Sequence, residues 1–161
     1  GLIPEKDARI LINWRTMIDS IFSQNIIREA RVRTSNAAKG HSGENTIDGD
    51  KSTYWTTEKG VKKSVIEYTF QRPISFDLIM LQEDITQGQR IEKFHVEVWW
   101  GKEWETLTQG TTVGYKRILL LPRTRTMSIR LVIDESRGNP ALAEVGLNKI
   151  DYGFMYSLDE Q

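Results

Sequence analysis

The sequence predicts an all-β protein, an antiparallel β-sandwich preceded by one N-terminal α-helix. After Ala30, apolar residues recur with a period of two in short segments rich in β-branched and aromatic residues. Turns that carry Gly, Pro or Asp separate these segments, and no helical pattern lies between them. Many short strands of this kind are typical of an antiparallel sandwich rather than a parallel sheet. We predict strands near residues 65–70, 76–82, 95–100, 116–121, 127–133 and 145–152, with a tight hairpin at residues 100–104.

Residues 4–28 are predicted to form the single helix. Pro4 suits a first helical turn, and the acidic Glu5 and Asp7 favour its positive N-terminal end. A lone helix cannot bury a wide apolar stripe, so this one is expected to lie against the sandwich or a symmetry mate. The stripe has three-and-four spacing and consists of Ile10, Leu11, Trp14, Met17, Ile18, Ile21 and Phe22.

Composition excludes several classes of function. The 22 basic and 22 acidic residues balance, whereas a protein that relies on phosphate contacts usually shows a basic excess. Nucleic acid is therefore not an expected partner. No apolar run approaches the roughly 18 residues that span a bilayer, so no membrane partner is expected. The chain has no cysteine, which excludes disulfides and thiolate chemistry.

The most informative segment is Asn45-Thr-Ile-Asp-Gly-Asp-Lys-Ser-Thr-Tyr-Trp55. Asp48 and Asp50 flank Gly49, and Thr53 follows three residues later, so several oxygen atoms can converge on one point. Calcium prefers such oxygen ligands, and glycine permits the sharp turn. The spacing differs from that of an EF-hand, which needs a glutamate at its twelfth position. An ordinary Asp-Gly turn that leads into a strand, with Trp55 in the core, is the alternative.

This segment resembles the Asp-Gly-Asp-x-x-Thr-x-Trp signature of discoidin domains, also called coagulation factor V/VIII type C domains. The resemblance extends from about Ala30 to Tyr152. That superfamily includes the family 32 carbohydrate-binding modules, so the resemblance implies a jelly-roll β-sandwich of the galactose-binding-like type.

Other segments are similar to the C-terminal domain of family 29 glycoside hydrolases, the α-L-fucosidases. They include Leu81-Gln-Glu83, Gly88-Gln-Arg-Ile91, Gly110-Thr-Thr-Val-Gly-Tyr115 and Ala143-Glu-Val145. Gly1-Leu-Ile-Pro-Glu5 resembles a stretch near the end of the catalytic barrel of these enzymes. The resemblance implies that residues 1–29 are the terminal helix or linker of a catalytic domain and that residues 30–161 form the discoidin-like sandwich. It also implies a periplasmic or secreted parent protein.

The resemblance implies a structural calcium site, because a glutamate near the last strand completes the ion's shell in such modules. The implied ligands are Asn45 through its carbonyl, Asp48, Asp50, Thr53 and Glu144, with the Ala143 carbonyl as a further candidate. Three carboxylates around one point repel each other strongly unless a cation neutralises them.

For sugar binding, the family uses loops at one end of the sandwich. Galactose-binding members place an arginine where this chain has Gln82-Glu83, so the usual galactose mode is not expected. A different polar pocket is predicted from His41, Glu83, Gln89, Arg90 and the exposed aromatic Tyr115. Alternatively, Glu83 and Arg90 pair with each other or with the backbone and hold the loop.

Tryptophans 55, 99 or 100, and 104 are expected in the core, because they occupy strand positions with one buried face. His95 is expected to be structural, since no second histidine is nearby to suggest a zinc site.

No catalytic residues are predicted, because in family 29 enzymes they lie in the barrel. The expected function is that of a noncatalytic carbohydrate-binding module for a fucosylated or galactose-containing glycan. The alternative is a structural buttress that packs on the catalytic barrel without binding sugar.

Overall fold

The computed structural model describes residues 15–16 and 25–150, and this part of the chain is antiparallel β structure. Every strand pairing is antiparallel, and the strand order is β2-β7-β3-β6-β4-β5, with β1 beside β3. Three short 3₁₀ helices span Ile26–Glu29, Gly43–Thr46 and Ile85–Gln87. The strands are β1 (Arg31–Thr34), β2 (Trp55–Thr56), β3 (Ser64–Glu83), β4 (Ile91–Trp99), β5 (Trp104–Gly110), β6 (Arg117–Ser136) and β7 (Ala141–Asn148).

The strand register divides the structure into two layers. Residues 64–69 of β3 pair with β1 and with residues 128–133 of β6, which also pairs with β4. Together with β5 these segments make a five-stranded layer. Residues 78–83 of β3 pair with β7, and β7 pairs with β2. These strands, with residues 117–120 of β6, make a four-stranded layer.

β3 and β6 each contain two of the predicted strands, because the chain passes from one layer to the other without a turn. The prediction of separate strands at residues 65–70 and 76–82, and again at 116–121 and 127–133, is therefore wrong in its boundaries. The β3–β6 register breaks between Thr69 and Ile74, around Pro73, whose nitrogen cannot donate to a ladder. β7 begins at Ala141, earlier than the predicted residue 145, and ends at Asn148.

Most of the predicted helix over residues 4–28 lies outside the described residues. Arg15 and Thr16 are helical and exposed. The helix does not continue to residue 28, because Asn25 is extended (φ −69°, ψ 105°) and caps the separate helix Ile26–Glu29. The Asn25 side chain also binds the free edge of β7: its amide nitrogen donates to the Val145 carbonyl (3.3 Å), and its oxygen accepts from the Leu147 N–H (2.9 Å).

The core lies between the two layers and is built on the large side chains Trp55, Tyr68, Phe76 and Phe94, all fully buried. Each fully buried apolar side chain of this size stabilises the fold by roughly 1.5–3 kcal/mol. The expected core position of Trp55 is confirmed, and its indole nitrogen donates to the Asn36 carbonyl (3.0 Å). Burial raises the pKa of the Tyr68 phenol, whose oxygen lies 2.8 Å from the Thr46 hydroxyl.

The expectation that Trp99 or Trp100, and Trp104, belong to the core is wrong. Trp99 and Trp104 lie opposite each other in the β4–β5 register, half-buried, with ring centroids 5.5 Å apart. The Arg130 guanidinium lies 3.8 Å from the centre of the Trp104 ring. Trp100 is 46% exposed at the predicted hairpin turn, which Gly101 closes with a φ of 92°. The alternation of the strands therefore directs the rings of Trp99 and Trp104 to the outer face.

No described helix is both long and apolar enough to cross a bilayer.

Candidate functional site

Two loops at one end of the sandwich are held together by the buried carboxylate of Glu83. One Glu83 oxygen accepts from the backbone N–H groups of Arg90 (2.9 Å) and Ile91 (2.8 Å), and the other accepts from Gly114 N–H (2.7 Å). Glu83 is only 2% exposed, and its own N–H donates to the Gly114 carbonyl (3.0 Å). Both oxygens are engaged by backbone N–H groups, so Glu83 anchors residues 84–90 to residues 111–116.

Arg90 extends the same anchor to a third loop. Its guanidinium donates to the Asn139 carbonyl (3.1 Å), and its stem lies over Gly138. The Asn139 amide in turn donates to the Thr57 hydroxyl (2.9 Å). Glu83 and Arg90 do not pair with each other through their side chains, and both hold backbone instead. Arg90 is therefore a structural residue in this arrangement.

The surface of these anchored loops is where the remaining predicted residues meet. Tyr115 is 56% exposed, Ile85 is 65% exposed, and Gln89 is exposed beside Gly114. We call Ile85, Gln89 and Tyr115 the loop patch. The contacts of His41 are with Tyr54: its ring stacks on the Tyr54 ring at a centroid distance of 4.3 Å, and its Nδ1 lies 3.2 Å from the Tyr54 carbonyl oxygen.

The loop of residues 45–54 is built from short-range polar contacts. One Asp48 oxygen accepts from the Asp50 N–H (2.9 Å), and the other contacts the Thr53 hydroxyl. Asp50 accepts from the Ser52 N–H (2.9 Å) and hydroxyl (2.6 Å), and these hydrogen bonds lower the pKa of Asp50. The Asn45 amide closes the loop by donating to the Tyr54 carbonyl (3.0 Å).

Glu144 on β7 adds a buried carboxylate next to this loop. Burial, reinforced by the charge of Asp48, raises the pKa of Glu144 to about 7. Arg28 opposes that shift, and its guanidinium lies against Gly49, 2.7 Å from where a β-carbon would stand. Within residues 25–150, Glu144 Oε1 is buried without a hydrogen-bond partner, and so is Oε1 of Gln82, directly opposite it in the β3–β7 register.

Comparison with known proteins assigns the family. Residues 31–145 match the F5/8 type C domain. The chain belongs to this family. α-L-Fucosidase 1 of Arabidopsis thaliana is 35% identical to this chain over 154 residues, a stretch that is 91% of this chain and 30% of the relative. The chain thus spans about a third of the length of the curated relatives it matches.

Solved structures give the same architecture. A GH29 fucosidase of Ruminococcus gnavus in complex with fucose is 29% identical, with a TM-score of 0.77 over 84% of this chain and 28% of that one. The family 32 module of C. perfringens NanJ in complex with galactose is only 12% identical, with a TM-score of 0.69 over 75% of this chain and 94% of that one. The latter likeness shows the fold alone. The F5/8 type C domain is a noncatalytic domain.

The predicted calcium ligands are only partly brought together. Asp48, Asp50 and Glu144 share one electrostatic cluster, and Thr53 contacts Asp48. The oxygen donors and the unpartnered buried oxygen of Glu144 suit a hard cation. However, no three acidic or histidine side chains of the described residues are arranged to hold a metal ion, and Arg28 already supplies a positive charge beside Gly49.

The structural roles of Asp77 and Arg28 were not predicted from the sequence. Asp77 is 2% exposed; it accepts from Arg123 of β6 (3.0 Å) and from the N–H of Ile150, two residues beyond β7 (2.7 Å). An acidic residue inside the otherwise apolar segment Phe76-Asp-Leu78 is a pattern that could have indicated it. The position of Arg28 has no comparable local pattern.

Proposed function

We propose that this F5/8 type C domain is the carbohydrate-binding C-terminal module of an α-L-fucosidase, and that its ligand is a fucosylated or galactose-containing glycan. The observation that carries the proposal is the loop patch, an exposed aromatic and polar surface on loops that Glu83 and Arg90 hold in place. Anchored loops lower the ordering cost of binding, and an exposed aromatic ring offers a face to a sugar ring. The names of the relatives supply the parent activity, and those of the fold neighbours supply the class of ligand.

The affinity should be weak. A patch of this kind contacts one or two sugar rings, and each net hydrogen bond contributes only about 0.5–1.5 kcal/mol. Ordering costs reduce the gain further. A dissociation constant of about 0.1–1 mM follows, equivalent to roughly 4–5.5 kcal/mol.

Replacing Tyr115 with alanine is expected to remove most of this binding, because Tyr115 is the exposed ring of the loop patch. The measurement is a titration with fucose, galactose and a fucosylated oligosaccharide, monitored by NMR. Trp100→Ala is the matched control, because Trp100 is an exposed ring at the opposite end of β4. Micromolar affinity for a monosaccharide, turnover of an aryl fucoside, or equal loss in both variants would contradict the proposal.

The second candidate function is the buttress, and the outer face of the four-stranded layer favours it. The register places Leu78, Met80, Ile118 and Leu120 on one face. Leu78 and Met80 are already buried there with Ile150, and Leu120 is 61% exposed beside them. An exposed leucine next to such a cluster suits the edge of a packed interface. The preceding catalytic barrel is the partner we propose for it.

Placing a charged side chain at position 120 tests whether this face packs on a partner or faces solvent. Leu120→Glu is expected to lower the melting temperature of the intact parent protein by several degrees while changing that of the 161-residue chain little. Thermal scans of both proteins provide the measurement, and Met127→Glu, at another exposed apolar residue, is the control. Equal melting shifts in the parent and in the chain would argue against the buttress.

Calcium at the loop of residues 45–54 is likewise a proposal. Millimolar calcium is expected to raise the melting temperature, since a ligand that binds only the folded state stabilises it. Asp48→Ala should abolish the response by removing an anionic ligand, whereas Asp134→Ala, on the other layer, should leave it intact. Identical melting curves of the native chain in chelator and in calcium would show that Arg28, not a cation, neutralises the cluster.

A further inference from the structure

The outer face of the five-stranded layer carries a groove whose lining residues differ from those of the loop patch. Its floor is made by Val65 and Val132, which are register partners and project outward, half-buried. Its volume is about 450 Å³, and the groove is wide open to solvent. The groove is lined by Ser35, Lys63, Ser64, Lys93, Asp134 and Glu135, together with the two valines and Ile133.

Two polar groups of the groove are held in fixed positions. Asp134 lies 2.7 Å from His95 Nδ1, and the other nitrogen of His95 lies 3.6 Å from Glu97. The Ser35 hydroxyl accepts from the Val65 N–H (2.9 Å) and lies 2.8 Å from the Ser64 hydroxyl. An acceptor and a hydroxyl are therefore already oriented before any ligand arrives, which lowers the ordering cost of binding.

The charges of the rim are balanced and largely free. Lys63 and Lys93 offset Asp134 and Glu135, so the four residues carry no net charge. Among residues 25–150, the ion pairs found do not include Lys63, Lys93 or Glu135. A sugar hydroxyl both donates and accepts hydrogen bonds. The lysines of the rim supply donors and the carboxylates supply acceptors around the apolar floor.

A protein partner fits this groove less well than a sugar. The centres of protein interfaces are depleted of lysine and acidic residues, whereas here such residues form the rim. Leu120, an exposed leucine on the other layer, suits a protein interface better.

We propose that this groove is a second carbohydrate site, for a neutral hydroxyl-rich sugar unit, separate from the loop patch. Val65 and Val132 contact the apolar face of the sugar ring. Lys63 and Lys93 donate to its hydroxyl oxygens, and Asp134 and Ser35 accept from its hydroxyl hydrogens. The site requires no contribution from the loop patch, so the two can fail independently.

The test is an NMR titration of the ¹⁵N-labelled 161-residue chain with 2′-fucosyllactose as the neutral probe and 3′-sialyllactose as the acidic one. Saturable shifts of the Ser64, Lys93, Val132 and Asp134 amides with the neutral probe are expected. Val132→Arg fills the floor of the groove, so the affinity measured from these shifts should fall at least tenfold. The shifts of Gly114 and Tyr115 should stay unchanged. Lys93→Ala should weaken the groove affinity about three- to tenfold, and Lys102→Ala, at the exposed hairpin tip, should not.

Each result decides the matter. Shifts confined to Gly114 and Tyr115 overturn the groove site and leave the loop patch standing. Shifts confined to the groove amides overturn the loop patch and leave the groove site standing. Shifts at neither place overturn both. A response to the acidic probe alone overturns the neutral class of ligand. If Val132→Arg fails to fold, the contrast between Lys93→Ala and Lys102→Ala decides instead.

Discussion

Replacing Glu83 with alanine is expected to lower the free energy of unfolding by about 3–5 kcal/mol, because a buried N–H that loses its partner costs about 1–3 kcal/mol. The Glu83 carboxylate accepts three hydrogen bonds from backbone N–H groups, two on residues 84–91 and one on Gly114. Alanine would leave all three donors without that acceptor and would release both loops. Urea denaturation of the native chain and the variant gives the difference directly.

Two controls separate loss of the anchor from loss of a charge. Glu105→Ala removes an exposed acid on β5 and should change the stability by less than about 0.5 kcal/mol. Glu83→Gln keeps the side-chain volume but replaces one acceptor oxygen with an NH₂ group that faces a backbone N–H. Its free energy of unfolding should therefore lie between those of the native chain and the alanine variant. A loss below about 1 kcal/mol in Glu83→Ala would contradict the anchoring role. The same variant should also lose sugar binding at the loop patch, since Gln89 and Tyr115 sit on the released loops.

Replacing Glu144 with glutamine is expected to stabilise the domain at pH 8 and to have little effect near pH 4. The folded state raises the pKa of Glu144 from 4.5 to about 7, so the folded state holds a proton that the unfolded chain releases. The contribution of Glu144 to stability is therefore fully present below pH 4.5. It falls as the pH rises from 4.5 to about 7 and stays low at higher pH. Each unit of pKa shift is equivalent to about 1.4 kcal/mol, so the gain at pH 8 should be of the order of 1–3 kcal/mol.

Urea denaturation at pH 4, 6 and 8 measures this dependence. The difference between Glu144→Gln and the native chain should grow with pH, whereas Glu135→Gln, at an exposed acid outside the cluster, should show no such growth. Parallel pH profiles for the native chain and Glu144→Gln would contradict the raised pKa. Calcium, where it binds, favours the ionised carboxylate, so its stabilising effect should be larger at pH 8 than at pH 5.

Local patterns determined a substantial part of this protein. The period of two predicted β structure, the hairpin at residues 100–104 is present, and Trp55 lies in the core as expected. The segment of residues 45–55 carried the resemblance that the F5/8 type C match confirms. These features depend on residues that are neighbours in the chain, so a sequence pattern can report them.

The tertiary structure alone decided the rest, because those features depend on which distant residues meet. A period of two says that alternate residues share a face, but only the register of β4 against β5 and β6 directs Trp104 outward to Arg130. The role of Glu83 depends on backbone N–H groups 7, 8 and 31 residues away. A solvent-exposed carboxylate at this position could have bound a sugar. Because this one is buried, and a buried charge must be hydrogen-bonded to be tolerated, it holds the two loops instead.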